Sequence, residues 1–216
     1  MKRLILMLIC FFVGAMVCGT AAFAQSSGSF SASYAATQCS IAENNGTLSG
    51  GIAGNSLPDV QVKVSSGSGV ALMITPSLVT GLYTQNKLSQ LTPTATQNVG
   101  LRVKVLVDNS TLGVVPEITS DSKGVIYDQR FIQVSSTFLG ALDACTTDCF
   151  SIVQSTLSAH SFHFYVSNLT PGTHTIKVVW DMVGGGSGEG VCVGPGTLTV
   201  EQVKNFNFNT GINLFF

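Results

Sequence analysis

The sequence predicts an all-β fold: a single antiparallel β-sandwich stapled by disulfides. Three observations carry that prediction. The first is the stretch Ser161 to Met182. Phe162, Phe164 and Val166 alternate there with His163, Tyr165 and Ser167, and after the turn Asn168–Thr173 the set His174, Ile176, Val178, Trp180 and Met182 alternates with Thr175, Lys177, Val179 and Asp181. A period of two on both sides of Pro171-Gly172 reads as an antiparallel pair of strands. The second is that no long segment shows helical periodicity, while many short runs are separated by Gly, Pro, Asn and Ser. The third is composition. Hydrophobic residues make up 45% and charged residues 10% of the 216 positions, so the chain can bury a core and is no disordered polyelectrolyte.

Taken in order, the first residues belong to an address rather than a fold. Lys2 and Arg3 precede an apolar run from Leu4 to Val17, and Ala22-Phe23-Ala24 supplies a small-x-small cleavage pattern. This is the layout of a secretory signal peptide over residues 1–24, compact in the bacterial manner. The secreted β-sandwich domain is expected over 25–216. The leader's apolar run is shorter than the ~20 residues a spanning helix needs, and no transmembrane helix is expected in the mature chain.

Phe30, Ala32 and Tyr34 suggest a first strand. Val60, Val62 and Val64 form a second, followed by the connection Ser65–Gly69. Val70 to Thr75 is a continuous apolar run, which Pro76 should end or place at an edge. Leu82 to Asn98, rich in Thr and Gln, reads as a long loop. Leu101, Val103, Val105 and Val107 form a half-buried strand with Asp108-Asn109-Ser110 as its turn. Val114-Val115 and Val125–Ser135 are strand-like, Phe138–Leu142 is a short helix or strand piece, and Phe150–Leu157 follows the loop Asp143–Cys149. Gly184–Gly190 is a connecting loop without the ending of a phosphate-binding loop. Gly194-Pro195-Gly196 is a turn before a closing strand, Thr197–Phe208.

The pattern Leu169–Trp180, a Gly-rich loop and then Gly196-Thr-Leu-Thr-Val200 is similar to the last two strands of jelly-roll or immunoglobulin-like modules, which occur in bacterial surface proteins and phage tail fibres. The resemblance covers the last quarter of the chain. It implies a sandwich and brings no catalytic residue with it.

Cys39, Cys145, Cys149 and Cys192 lie beyond the leader. Four cysteines in an exported chain read as two disulfides with three possible pairings. Cys145–Cys149 and Cys39–Cys192 are the expected pairs. The second would contribute about 5 kcal/mol on the chain-entropy account.

Chemistry is thinly signalled. Cys145, Cys149, His160 and His163 have a loose zinc-finger order, but the spacing is short and oxidised cysteines are the expected state, so no metal or cofactor is expected. His174, at a strand edge, reads as a histidine bonded to turn backbone. Tyr127, Asp128 and Arg130 form a possible ligand cluster: an aromatic beside planar polar groups suits hydroxyl-rich ligands, and an exposed Asp128–Arg130 salt bridge is the plainer alternative. Phe206, Phe208, Thr210, Ile212, Leu214 and Phe216 alternate up to a terminal aromatic. That series is similar to the closing strand of outer-membrane barrels and is the expected partner-contact segment otherwise.

Net charge of −1 and the lack of basic runs argue against nucleic acid. The expectation is an exported, non-catalytic structural, adhesion or binding protein, extracellular, on the cell surface or in the periplasm. Its expected partners are a second copy, a surface polymer or a glycan. A carbohydrate-binding module or carbohydrate-active enzyme is the alternative, and a small outer-membrane β-barrel the second alternative.

Overall fold

The computed structural model describes residues 28–66, 70–88, 94–111, 113–116, 124–135 and 150–204. The leader 1–24, Phe138–Leu142, Cys145, Cys149 and the segment containing Phe206, Phe208 and Phe216 lie outside them. The strands are β1 (Phe30–Ala35), β2 (Cys39–Ile41), β3 (Leu48–Gly50), β4 (Val60–Val64), β5 (Val70–Leu88), β6 (Thr94–Val107), β7 (Val114–Val115), β8 (Val125–Ser135), β9 (Phe150–Ser161), β10 (Phe164–Ser167), β11 (Gly172–Gly184) and β12 (Glu189–Lys204). One short 3-10 turn, Ala53–Asn55, precedes β4.

All pairings between these strands are antiparallel. They form three sheets rather than the two of a single sandwich. The six-stranded sheet has the order β1-β12-β5-β10-β7, with β9 also paired to β5. The four-stranded sheet has the order β4-β11-β6-β8, and β2-β3 is a separate hairpin. The two larger sheets contribute inward side chains to one apolar cluster, including Leu72, Ile74, Phe164 and Leu198 from one and Val60, Val103, Ile176 and Trp180 from the other.

The expected pair around Pro171-Gly172 is not a hairpin. β10 pairs with β5 and β7, whereas β11 pairs with β4 and β6, so the turn is an arch from one sheet to the other. Phe164 and Val166 on one side and His174, Ile176, Val178 and Trp180 on the other are all buried. Alternation identifies the buried face of a strand but not its neighbour. Two strands facing each other across a core alternate just as two paired strands do.

Two further expectations give way. Pro76 does not end a strand. β5 exchanges partners there, with Ile74 opposite Phe164 of β10 and Ser77 opposite Ser161 of β9, and Pro76 sits in the break. The proline carbonyl accepts a hydrogen bond from Tyr127 Oη at 3.0 Å. Leu82–Asn98 is not one long loop, since β5 continues to Leu88 and β6 begins at Thr94. Thr84, Gln85, Thr96 and Gln97 are strand residues, and part of the space between the sheets is polar: Thr84, Asn86 and Gln97 are buried there together with Thr80.

Gly194-Pro195-Gly196 is likewise not a turn but a bulge inside β12, where the register to β5 shifts between Val193 and Gly196. The Gly194 backbone has φ of +130°, and a Cβ there would lie 2.3 Å from the Thr37 carbonyl oxygen. Only glycine lets that segment pass so close.

The expected turn after β6 is confirmed. Ser110 N–H donates to the Val107 carbonyl at 2.9 Å, with Asp108 and Asn109 at φ of 51° and 65°. Left-handed backbone at both central positions is the type I′ geometry that Asp and Asn tolerate. Cys39 and Cys192 form the expected disulfide, spanning 153 positions. It fastens the β2-β3 hairpin over the outer face of the six-stranded sheet, where Gly81, opposite Cys192, leaves room for Leu48. Among the described residues no helix is long and apolar enough to cross a membrane.

Candidate functional site

Two features stand out, one on each side of the six-stranded sheet, and His160 belongs to both. The first is an open groove of about 570 Å³ on the outer face. Its floor is the outward side of β5 and β9, with Ser77, Val79, Ala159 and Ser161. The end of β1 and the segment leading to the disulfide form one wall through Tyr34, Ala35, Ala36 and Gln38. The bulge of β12 forms the other through Pro195, Gly196 and Thr197.

The lining contains no Asp, Glu, Lys or Arg. Tyr34 is 74% exposed. Strand alternation explains this: Ala32 and Tyr34 occupy positions opposite Thr199 and Thr197 of β12 and share the outward face with them. Ser77 Oγ donates to Ser161 Oγ at 3.0 Å, a cross-strand pair. Such a surface offers apolar contact and neutral hydrogen-bonding groups, with His160 beside them.

The second feature lies between the sheets. Tyr127, Asp128 and Arg130, singled out in the sequence, all belong to β8. The pairing of β8 with β6 shifts between Leu101, opposite Asp128, and Arg102, opposite Ile126, which leaves Tyr127 as the extra residue of a β-bulge. The bulge interrupts the alternation, so Tyr127 joins the inward side that Asp128 and Arg130 already share. Tyr127 is buried, and burial pushes its phenol above the ordinary range.

Asp128 and Arg130 do not pair with each other. Thr80 Oγ1 donates to Asp128 Oδ2 at 3.1 Å, and His160 Nε2 lies 3.5 Å from the same oxygen. Arg130 Nη2 donates to Thr156 Oγ1 on β9. The Tyr127 and His160 rings are 6.3 Å apart and tilted at 59°. This cluster ties the open edges of the two large sheets together through polar side chains and does not lie on an exposed ligand surface. Neighbouring polar atoms at the same end, Thr84 Oγ1, both amide atoms of Asn86 and Gln97 Oε1, are buried without a protein partner.

The histidines part company. His160 faces Asp128, while His163 Nδ1 meets Thr75 Oγ1 at 2.8 Å. The other two members of the loose zinc-finger order, Cys145 and Cys149, lie outside the described residues. Among the described residues no group of three His, Cys, Asp or Glu side chains is placed to hold a metal. His174 meets turn backbone as expected: its Nε2 donates to the Thr170 carbonyl at 2.8 Å.

The groove was not legible in the sequence. Its lining comes from four separated segments, and no spacing rule brings Tyr34, Val79, Ala159 and Pro195 together. The one available signal was Tyr34, which with Phe30 is one of two aromatics in a strand of Ser and Ala. Comparisons with protein-family models and with curated proteins give no match.

Proposed function

We propose that this is an exported, non-catalytic binding or adhesion protein, built as a β-sandwich whose outer hairpin helps to shape a ligand groove. The observation that carries this reading is the groove on the outer face of the six-stranded sheet, lined without Asp, Glu, Lys or Arg. Its volume of about 570 Å³ falls within the range of sites that take small molecules or short chain segments. The shared apolar cluster between the larger sheets supports the sandwich, with β2-β3 as a partial third layer. The long-range disulfide is compatible with export.

The test uses Ala159→Trp, which fills the groove from an exposed position, together with Tyr34→Ala. The mature wild-type protein is expected in washed surface material of the native host, and both variants, if folded, in the soluble fraction. Folded variants retained like wild type would remove the groove from the reading. Recovery of wild type only by detergent, with heat-modifiable gel mobility, would favour the barrel instead.

One specific observation favours the carbohydrate-binding alternative. An exposed aromatic ring, Tyr34, stands beside Gln38, Ser77, Ser161 and Thr197, which are neutral donors and acceptors suited to hydroxyl-rich ligands. A glycan array on which wild type and Tyr34→Ala show the same absence of binding would dispose of it. Deletion of the segment containing Phe206, Phe208 and Phe216 tests self-association. Loss of assembly with a native melting curve is the outcome expected of a contact segment.

A further inference from the structure

His174 is the third residue of β11, just after the arch from β10, and both of its ring nitrogens face oxygen acceptors. Nδ1 lies 2.7 Å from Asp108 Oδ2, and Nε2 lies 2.8 Å from the Thr170 carbonyl oxygen. A carbonyl oxygen carries no proton. The Asp108 carboxylate cannot give one up either, because its other oxygen accepts the Thr175 backbone N–H at 2.9 Å and it is held as an anion. A neutral imidazole has one N–H and can serve only one of these acceptors; the imidazolium serves both.

The carboxylate itself is anchored. Asp108 is the first central residue of the type I′ turn after β6, and its own N–H donates to the Thr175 carbonyl at 2.9 Å. The Asp108 end of the bridge is therefore fixed to β11 by two backbone bonds. The Thr170 end is held to His174 by the imidazole alone among the bonds described for that carbonyl. This asymmetry says which bond is given up first.

We infer that His174 is a proton-operated bolt: as an imidazolium it fastens the arch between the two large sheets to the β6–β7 turn, and on losing a proton it keeps Asp108 and releases Thr170, loosening the arch. Among the described residues Asp108 is the one charged group facing the ring. Val62 of β4 lies opposite His174, and its neighbours Gln61 and Lys63 are exposed on the outward side. Lys177 and Thr175 of β11 alternate away from the buried face.

The electrostatics agree. Burial works against the charged ring, but the bonds to Thr170 and Asp108 and the attraction of Asp108 outweigh it and raise the His174 pKa above its ordinary value. A raised folded pKa means that the bolt's contribution is complete below the unfolded value of about 6.5 and is lost as pH rises through the folded value. The arch is thus fastened in mildly acidic surroundings and loosened in alkaline ones.

Long-range ¹H–¹⁵N correlation on the ¹⁵N-labelled protein at pH 6 reads the ring directly. Two protonated nitrogens at His174 are expected; the shift pattern of either neutral tautomer would overturn the inference. Hydrogen exchange of the Gly172 and Thr173 amides reads the arch. Relative to His174→Gln, and after correction for intrinsic rates, wild-type protection is expected to fall about tenfold or more between pH 6 and pH 9. Equal pH dependence in both proteins would refute the loosening. Should His174→Gln fail to fold, Asp108→Asn replaces it: the His174 titration is expected to move to lower pH, and an unmoved titration would refute the role of Asp108.

Discussion

Removing the Cys39–Cys192 bond should weaken the whole molecule and not the hairpin alone. The bond joins residues 153 positions apart, so it closes nearly all of the described chain into one loop. On the chain-entropy account such a loop in the denatured state is worth about 5 kcal/mol. Residual compactness of the denatured chain reduces that figure, and roughly 2–5 kcal/mol is the expected loss. Packing adds to it, because both cysteines are buried, at 7% and 8% exposure.

The perturbation is Cys39→Ala with Cys192→Ala, and the assay is urea unfolding followed by fluorescence. Trp180 is the single tryptophan and is 6% exposed, so its emission reports loss of the common core. With a slope of about 2 kcal/mol per M, the midpoint should fall by on the order of 1–2 M. The slope should also rise, because an uncrosslinked denatured chain exposes more surface. A midpoint and slope indistinguishable from wild type would refute the reasoning. Faster exchange confined to β2 and β3 would then show that the bond is a local clip. The same variant should bind groove ligands more weakly, since Gln38 lines the groove and adjoins Cys39.

Other predictions follow from single positions. Leu198→Ala, at a fully buried site in β12, should cost about 2–5 kcal/mol in the same assay. Tyr127→Phe should cost about 1–3 kcal/mol, because it leaves the Pro76 carbonyl without its donor at the strand break. Gly81→Val should cost about 1–3 kcal/mol and loosen the hairpin, since even a Cβ there lies 3.0 Å from Leu157 and 3.1 Å from Leu48. Stability should also fall in acid. Asp181 is desolvated but more strongly favoured as an anion by Arg102 and Lys104, and Asp108 is lowered by the Thr175 N–H and by His174. Depressed carboxylate values contribute above the unfolded value near 4 and are lost as pH falls through the folded ones. Melting temperatures measured from pH 6 down to pH 2.5 should show a shallower decline in Asp181→Asn than in wild type.

The candidate site was only partly readable beforehand. Asp128 and Arg130 share a face by simple alternation, so their proximity was legible. Tyr127 joins them through a bulge, and a bulge depends on how β8 meets β6. That the cluster faces the space between the sheets was hidden for the same reason. Threonine, asparagine and glutamine at Thr84, Asn86 and Gln97 looked like loop chemistry, and Thr80 drew no reading, because polar residues in strands normally mark a solvated face. Here they line the inner faces of β5 and β6, beside His160, Asp128 and Arg130 from the neighbouring strands.

By itself the sequence determined what depends on near neighbours along the chain. Alternation of apolar and polar residues marked β4, β6, β10 and β11 and their buried faces, since side chains project to opposite sides at every step. Asp108-Asn109 specified a turn because both residues tolerate left-handed backbone. Tertiary structure decided which strands pair, and that decision rests on contacts between residues far apart in sequence. It turned the Pro171-Gly172 hairpin into an arch, carried β5 past Pro76, absorbed Gly194–Gly196 into β12 and assembled the groove. Each outcome minimises unpaired backbone and exposed apolar surface over the whole chain at once, a condition that no local window of residues contains.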